Sequence, residues 1–274
     1  MPATVAQVLE ALERRNPVSL AADWDAVGLI CGDPDAVVTQ VLFAVDPLQS
    51  VVEEAITRGC EMVITHHPLF LRGVHGVAAI DAKGRLVHAL IRNGIALAAA
   101  HTNADHASPG VSDALGAALG VTAMRPIDEE SGAGRIGELD EPLSLAEFAA
   151  RVAERLPATH HGVRIAGDPA RLVRTVAVCG GAGDSLLSAV GEQADVYVTA
   201  DLRHHRAQDH LAEGGCALVD VAHWASEWPW LQLAAGQLVA DLTQEGLAIT
   251  AHVSATPTDP WTAHHSSTTQ GSPQ

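Results

Sequence analysis

The feature of this sequence that most constrains its fold is a regular alternation of short apolar runs with helical segments. Each run is long enough for a buried strand and far shorter than the roughly 20 residues that a membrane span needs. Alternating strands and helices favour an α/β fold with largely parallel or mixed sheets covered by helices. Six runs are predicted as buried strands: residues 37–45, 62–64, 95–100, 173–178, 196–199 and 217–221.

Local signals place helices between these strands. Thr4 can cap an amphipathic first helix that ends before Asn16-Pro17, and Ser144 opens a second helix with a capping box. A long helix is predicted over about 227–244, followed by a short closing strand at about 249–253.

The two halves of the chain carry a similar strand–helix–strand pattern. The segment 41–45, a helix and the segment 62–67 parallel 176–178, a helix and 196–199, with His204-His205 just beyond. We interpret this similarity as a weak internal duplication.

The predicted organisation is therefore one unit of two intimately packed α/β lobes. A glycine-rich bridge links the lobes, and the C-terminal tail is rich in Ser, Thr, Pro and Gln, a composition typical of disorder. Deleting the tail from residue 258 onward is expected to leave metal content and melting temperature nearly unchanged. The boundaries are 1–253 for the unit, about 1–125 plus 215–253 for the first lobe, about 126–214 for the second, and 254–274 for the tail.

The charge balance bears on the partners that the chain can bind. Asp and Glu number 33 against 16 Lys and Arg, which gives a formal net charge of −17. An acidic chain repels phosphate backbones unless its basic residues are focused in one place, so nucleic acid is a poor partner. An excess of carboxylates does suit cations.

The cysteines and the N-terminus bear on the compartment. Cys31, Cys60, Cys179 and Cys216 form no CxxC pair, and we interpret them as small buried hydrophobes in a reducing compartment. The N-terminus lacks a basic region followed by an apolar signal segment. The expectation is a soluble, cytoplasmic protein that does not enter membranes.

Candidate metal ligands follow three of the predicted strands. His66 and His67 follow the strand at 62–64, Asp105 lies beyond the strand at 95–100, and His223 follows the strand at 217–221. Functional side chains in open α/β sheets gather beyond the carboxyl ends of strands, so these side chains are expected to meet. Glu227 lies four residues after His223 at a helix start, and we expect it to join the same site.

The ligand types indicate two ions rather than one. Adjacent histidines on an extended chain point apart, so His66 and His67 could each serve one of two neighbouring ions, and a carboxylate can bridge such a pair. Imidazole mixed with carboxylate suits Zn, Fe, Mn, Co or Ni and is too nitrogen-rich for Ca or Mg. The expected cofactor is two divalent metal ions per chain.

Other histidines have plainer explanations, because most histidine pairs are solvated or hydrogen-bonded. His264-His265 lies in the polar tail and His160-His161 in a connection, and neither pair is expected to bind metal. His66-His67 differs because Pro68 fixes the turn and a buried strand delivers the pair. His101 could be a ligand, an outer hydrogen-bond donor or a packed loop residue, of which we favour the outer donor.

Two other kinds of site find little support. The glycine-rich segment 180–183 matches neither GxGxxG nor the Walker pattern, and Asp184 beside it would repel a phosphate. We predict a tight strand-to-helix turn there. The chain contains no GxSxG sequence, so serine nucleophile chemistry is unsupported.

Four motifs in matching order resemble the Nif-three-like dinuclear metal-centre family, whose members are often called GTP cyclohydrolase I type 2 homologues. Four ordered motifs are far more specific than any one of them, and the resemblance covers roughly residues 4–253. The motifs are WDAVGL at 24–29, THHPL at 65–69, HTNAD at 101–105 and HWASE at 223–227.

The resemblance implies two α/β domains around a dinuclear site, assembled as a toroidal homohexamer. It implies that His67 and Asp105 hold one metal ion, that His66 and His223 hold the other, and that Glu227 bridges them. Some family members carry an extra domain inserted mid-chain, and the short bridge after residue 119 indicates that this chain lacks it.

The resemblance also implies candidate catalytic residues. Residues 201–205 resemble a further family motif near the site, where His205 would meet substrate, and Glu227 would act from between the metal ions. The first hypothesis is a metal-dependent hydrolase that acts on a nucleotide such as GTP or on a phosphoester. The alternative is a non-catalytic, metal-binding toroidal scaffold or regulatory protein that binds protein or DNA partners; metal-dependent turnover and salt-dependent DNA binding would distinguish the two.

Overall fold

The computed structural model describes residues 1–191 and 193–265 as a mixed set of strands and helices. The strands are β1 (Ala3–Thr4), β2 (Gly28–Cys31), β3 (Val37–Val38), β4 (Gln40–Ala44), β5 (Met62–Thr65), β6 (Ala96–Ala99), β7 (Val121–Arg125), β8 (Arg135–Ser144), β9 (Arg164–Ala166), β10 (Leu172–Ala182), β11 (Val196–Ala200), β12 (Ala217–Val221) and β13 (Thr250–Val253). The helices are α1 (Val5–Arg15), α2 (Gln49–Arg58), α3 (Ala82–Arg92), α4 (Thr102–His106), α5 (Val111–Leu119), α6 (Leu145–Arg155), α7 (Leu187–Val190), α8 (His204–Ala212) and α9 (His223–Gln244).

Helix α1 shows how local sequence signals fix an element. The Thr4 side chain accepts a hydrogen bond from the Gln7 amide, and the Gln7 side chain accepts one from the Thr4 amide. This reciprocal capping box supports the predicted cap. Val5, Val8 and Leu12 are buried on one face of α1, which packs against α9.

The strands form two main sheets, so the predicted α/β class is confirmed. The five-stranded sheet has the order β13-β4-β5-β6-β2, in which β2 alone is antiparallel to its neighbour. The six-stranded sheet has the order β7-β8-β10-β11-β12-β9, with β10, β11 and β12 parallel. Each sheet therefore contains a parallel strand–helix–strand unit, β4-α2-β5 in one and β10-α7-β11 in the other.

The register of the parallel strands determines which residues can meet. Thr65 at the end of β5 lies opposite Ala44 of β4 and Ala99 of β6, so these three strands end level with one another. In the second sheet, Ala200 at the end of β11 lies opposite Val221 at the end of β12. Side chains that follow these strands are thus brought together at one edge of each sheet.

Helix α9 packs between the two sheets. Trp230, Leu231, Leu238 and Leu242 on this helix are buried. The helix contacts β4 and β13 of one sheet and β10 and β11 of the other. The apolar residues of α9 therefore join the two lobes through one shared core.

The sheets correct several predicted boundaries. β7 and β12 belong to the six-stranded sheet, although the predicted first lobe included them, because β12 pairs with β11 along its whole length and with β9 on its other side. The predicted strand 37–45 is split, since β3 pairs with β1 in a separate two-stranded sheet. Helix α9 begins at His223 rather than near Glu227, and the Ser226 amide closes its first turn on the Ala222 carbonyl.

The C-terminal segment contacts the fold beyond β13, contrary to the prediction of a disordered tail from residue 254. Ser254 is buried, its amide donates to the Phe43 carbonyl at 2.8 Å, and the Trp228 indole donates to its carbonyl at 2.9 Å. These bonds extend the pairing of β13 with β4 and hold the chain close to the sheet. We call residues 254–261 the C-terminal strap; residues 266–274 of the predicted tail lie outside the described residues.

The cysteines and the membrane prediction can also be compared with the structure. All four cysteines are free, with Cys60 and Cys216 buried and Cys31 and Cys179 half-buried. Among the helices of the described ranges, none combines the length and apolar character needed to cross a bilayer.

Candidate metal centre

Strand β5 delivers two histidines to the edge of the five-stranded sheet. His66 Nδ1 lies 2.9 Å from the carbonyl oxygen of Ala100, just past β6. His67 Nδ1 lies 2.7 Å from Oδ1 of Asp46, just past β4. The two rings therefore lean toward opposite neighbours of β5, as expected for adjacent residues on an extended chain.

Helix α9 brings two candidate ligands, His223 and Glu227, from the side of the second sheet. His223 is its first residue, with Nδ1 2.7 Å from Asp201 Oδ2 and Nε2 2.9 Å from Glu227 Oε1. Glu227 lies one turn further along and is only 3% exposed. Its Oε1 is 3.4 Å from His66 Nε2 and its Oε2 is 3.3 Å from His67 Nε2. The carboxylate of Glu227 thus lies among three imidazoles.

The segment after β6 adds a carboxylate and a further imidazole. Asp105 Oδ1 lies 3.7 Å from His66 Nε2. The His101 ring centroid is 5.2 Å from that of His66 and 5.4 Å from that of His67, and its Nδ1 lies 2.9 Å from Asp25 Oδ1. The ligand atoms of His66, His67 and His101 all lie within 4.8 Å of one another. His101 therefore has the position of a ligand, whereas the sequence interpretation favoured an outer donor.

The four histidines of the cluster share one arrangement. In each histidine, Nδ1 is hydrogen-bonded to an oxygen atom, which leaves Nε2 as the nitrogen available to a metal ion. Acceptors of this kind fix the tautomer and ring orientation of metal-binding histidines. The oxygen atoms belong to Ala100, Asp46, Asp25 and Asp201.

Sequence reasoning did not identify these acceptors. Asp46 and Asp201 follow β4 and β11 directly at the sheet edges, so the strand-end rule that found the ligands could have found them too. Asp201 has a φ of +56°, a left-handed conformation that aspartate tolerates better than most residues. Asp25 lies in the WDAVGL motif, but only the fold shows that it contacts His101.

Two distances in the cluster bear on the ligand pairing that the family resemblance implied. His67 Nε2 is 3.3 Å from His223 Nε2, whereas His66 Nε2 lies beside Asp105. The cause is the lean of the two rings: His66 leans toward β6, which leads into Asp105, and His67 leans the other way. His66 thus lies near Asp105 and His67 near His223, whereas Glu227 Oε1 lies near both His66 and His223. The assignment of ligands to the two ions stays a prediction.

The electrostatics of the cluster favour positive charge around Glu227. Burial alone lowers the pKa of His67, but Glu227 and Asp46 outweigh it and raise the pKa to about 11. Glu227 and Asp201 likewise outweigh burial at His223 and raise its pKa to about 9. Burial acts to raise the pKa of Glu227, yet the surrounding imidazoles hold that pKa well below its ordinary value. Protons or divalent cations can supply the positive charge.

Unpaired atoms and local space show that the cluster fits metal ions. Among the described residues, three buried side-chain polar atoms make no hydrogen bond, and two of them are His66 Nε2 and Glu227 Oε2. Such groups are costly unless a partner is bound. Gly181, at φ +68°, faces the centre, and a Cβ there would lie 2.5 Å from Glu227 Oε1 and 3.2 Å from His223 Nε2. A glycine thus leaves room beside the ligands.

A cavity of about 300 Å³ opens beside His67 and His223. Its wall includes His161, whose Nε2 lies 3.0 Å from Asp220 Oδ2, so this histidine is part of the wall although no role was expected for it. The C-terminal strap forms one side of this cavity. The residues that line the cavity are Asp46, His67, His161, Asp201, Ala222, His223, Trp224, Thr258, Asp259, Pro260 and Trp261.

Two of the other histidine pairs do not join the cluster. His205 is exposed in the first turn of α8, where its ring lies 5.0 Å from that of His204, and it does not line the cavity. His264-His265 is exposed beyond the strap. Of the predicted site residues, the structure therefore brings together His66, His67, Asp105, His223 and Glu227, and leaves His205 apart.

The arrangement can be compared with known proteins. The model of the family described as Duf34/NIF3 (NGG1p interacting factor 3) matches residues 3–260. This chain belongs to the DUF34/NIF3 family. The resemblance drawn from the four motifs is therefore confirmed for nearly the whole chain.

Relatives named GTP cyclohydrolase 1 type 2 homolog match this chain over almost its whole length. The chain is 53% identical to the GTP cyclohydrolase 1 type 2 homolog of Streptomyces coelicolor over 95% of this chain and 94% of that protein. It is 38% identical to the homolog of Mycobacterium tuberculosis, in an alignment of 378 positions that covers 97% of this chain and 98% of that protein. That alignment exceeds the 274 residues of this chain, so the relative contains inserted residues that this chain lacks.

Solved structures of the DUF34/NIF3 family show the same fold. A Bacillus cereus protein related to NIF3 superposes with a TM-score of 0.87 at 25% identity, covering 96% of this chain and 99% of that chain. The two-sheet architecture is thus shared with this solved structure.

Proposed function

We propose that this DUF34/NIF3 protein binds two divalent transition-metal ions and catalyses the hydrolysis of a phosphoester or a nucleotide. The observation that carries the proposal is the convergence of four imidazoles and two carboxylates on one half-buried cluster, in which His66 Nε2 and Glu227 Oε2 lack hydrogen bonds. This mixture of nitrogen and oxygen ligands suits Zn, Fe, Mn, Co or Ni.

The candidate ligands fall into two neighbouring groups, one for each proposed ion. His66, His101 and Asp105 would hold one ion and His67 and His223 the other. Glu227 would serve both, since its Oε1 lies near His66 and His223 and its Oε2 lies near His67. Two such ions supply an activated water and stabilise the charge that develops during hydrolysis. The hydrogen bonds on the Nδ1 atoms fix the orientation of the four rings, so that the opposite ring nitrogen would stay available to a bound ion.

The charge of the cavity bears on the substrate. Asp46, Asp201 and Asp259 line it, whereas no Lys or Arg appears among the described residues of its wall. A phosphate group would be attracted only at the metal ions and repelled along the wall. This distribution favours a compact phosphoester over the longer triphosphate of GTP, although relatives carry the name GTP cyclohydrolase 1 type 2 homolog.

A substrate panel with a site variant tests the proposal. Protein reconstituted with Zn²⁺, Mn²⁺ or Fe²⁺ should hydrolyse p-nitrophenyl phosphate or a nucleotide, and metal-stripped protein should not. Glu227→Gln at equal concentration should be inactive, which excludes a contaminating phosphatase. Equal rates from the variant and the unaltered protein, or no turnover of any phosphoester or of GTP with two ions bound, would contradict the hydrolase proposal.

A non-catalytic role is the second candidate, because the family description names an interacting factor. A metal-binding scaffold would keep its ions without turning over substrate, and it would bind a protein or DNA partner instead. Binding to duplex DNA that weakens steeply with salt would favour this candidate. The net charge of −17 counts against such binding on the outer surface.

A further inference from the structure

The C-terminal strap lies against the candidate metal centre and forms part of its cavity wall. Thr258, Asp259, Pro260 and Trp261 line the cavity together with His67 and His223. The strap is anchored at its start, where Ser254 is 2% exposed and its hydroxyl donates to Glu54 Oε2 at 2.6 Å. Its position near the centre therefore follows from bonds to the fold.

A chain of hydrogen bonds joins the strap to one of the ligands. The Thr258 hydroxyl donates to Asp46 Oδ2, and Asp46 Oδ1 accepts from His67 Nδ1 at 2.7 Å. Asp46 lies in a bend two residues after β4, and each oxygen of its carboxylate makes one of these two hydrogen bonds. Thr258 supplies one of these bonds and fixes the carboxylate that orients the His67 ring.

We propose that Thr258 is a positioning residue for the metal ion held by His67 and His223. The strap thereby contributes to metal binding through the Thr258 hydroxyl. The proposal rests on the proposed metal site and adds a residue to it. The ion near His66 and Asp105 should not depend on Thr258, because the Nδ1 atom of His66 is held by the Ala100 carbonyl.

The strap itself offers a matched control. The Thr256 hydroxyl donates to Glu54 Oε2 at 2.9 Å, so this threonine anchors the strap through a carboxylate that contacts no ligand of the centre. Thr256→Val and Thr258→Val remove the same hydroxyl, two residues apart, from the same segment. Loss of anchoring affects both variants, whereas loss of His67 positioning affects only Thr258→Val.

The experiment measures the affinities of both metal ions in the full-length chain. Unaltered protein, Thr258→Val, Thr258→Ser and Thr256→Val are stripped of metal and titrated with Zn²⁺ against a chromophoric chelator, with circular dichroism as a check of folding. We expect Thr258→Val to weaken one of the two binding steps by about tenfold, the lower end of the range for outer-shell changes. Thr258→Ser should restore that step, and Thr256→Val should leave both steps unchanged.

Each outcome has a separate meaning. Unchanged affinities in Thr258→Val would overturn the positioning role, as would equal weakening of both steps in Thr258→Val and Thr256→Val. Failure of Thr258→Ser to restore the weakened step would do the same. No zinc uptake by the unaltered protein would instead contradict the metal site itself, and this result is visible before any variant is compared.

Discussion

Among single residues, Glu227 is the carboxylate that contacts three imidazoles of the cluster. Its oxygens lie 2.9 Å from His223 Nε2, 3.3 Å from His67 Nε2 and 3.4 Å from His66 Nε2. It is buried, and its pKa is held well below the ordinary value by the imidazoles despite the opposing effect of burial. A bridging carboxylate also supplies negative charge between two cations that repel each other.

Glu227→Gln should therefore be more damaging to metal binding than His66→Ala. Glutamine keeps the size of the side chain but loses its charge and one ligand oxygen, so we expect loss of both ions or survival of one at reduced affinity. The histidine serves a single ion, and water can partly replace it. Metal analysis with circular dichroism on both variants checks this; if Glu227→Gln keeps two ions while His66→Ala loses them, Asp105 becomes the better candidate for the bridge.

Gly181 tests whether the space beside the ligands matters. An added Cβ would meet Glu227 Oε1 at 2.5 Å, and the φ of +68° is itself unfavourable for alanine. Gly246 is the matched control, because its φ is +75° and nothing lies within 4 Å of the added atom. Both alanine variants should lose about 1–2 kcal/mol of stability from the backbone, measured by thermal unfolding.

Only Gly181→Ala should also weaken metal binding, by more than tenfold in a chelator competition (about 1.4 kcal/mol). Equal metal affinities in the two glycine variants would show that the cluster tolerates the extra atom. In that case the centre would be more open than the distances indicate.

The sequence indicated well which side chains gather at the cluster, because residue type and position after a strand are both visible in the sequence. His66, His67, Asp105, His223 and Glu227 all reach the cluster. The outer hydrogen bonds were less predictable, since Asp25 and His101 lie 76 residues apart and meet only through the fold. The contacts between the rings were also unpredictable, because they depend on the direction in which each ring leans.

Among the elements, the parallel strands were predicted best. Their buried cores appear in the sequence as continuous apolar runs, such as the one that becomes β5. The strap was not predicted, because its composition is polar and its anchoring depends on single hydrogen bonds to Glu54, Phe43 and Trp228. The composition of this segment shows that it has few apolar residues to bury, but it does not show hydrogen bonds to distant residues.

The anchoring of the strap should depend on pH through Glu54. Burial alone raises the pKa of Glu54, but hydrogen bonds from Ser254 and Thr256 and the nearby Arg58 lower it below the ordinary value. A carboxyl group with a lowered pKa in the folded state contributes stability above its unfolded pKa of about 4.3, and that stability is lost as pH falls through the folded value.

Glu54→Gln should therefore melt at a lower temperature than the unaltered protein near neutral pH, and the difference should shrink as the pH falls from about 6 to about 3. Thermal unfolding of both proteins across this range measures it. A difference that stays constant with pH would show that Glu54 does not anchor the strap through its charged form.

At the scale of the whole molecule, α9 explains why the predicted lobes were only approximately right. The helix packs on strands of both sheets, so the chain returns to the first lobe only after β12 has completed the second. The periodicity of a sequence indicates elements, but it does not indicate which sheet an individual strand joins. The mixed α/β class itself followed from the alternation of strands and helices.

The homohexamer implied by the family resemblance stays a prediction for the whole molecule. Light scattering after size-exclusion chromatography at micromolar concentration should give about six times the 28.5 kDa mass of one chain. A monomer mass would contradict the prediction. The cytoplasmic location likewise stays a prediction, which fractionation of the source cells would check.

The central claim is that the cluster holds two divalent metal ions, and metal content measures it most directly. Protein purified without chelator, and protein reconstituted with Zn²⁺, Mn²⁺ or Fe²⁺, is dialysed and analysed for its elements. The account predicts about two ions per chain in the reconstituted protein, because the four imidazoles and two carboxylates of the cluster offer enough ligands for two. Less than about half an ion per chain after reconstitution with each of the three metals would contradict it.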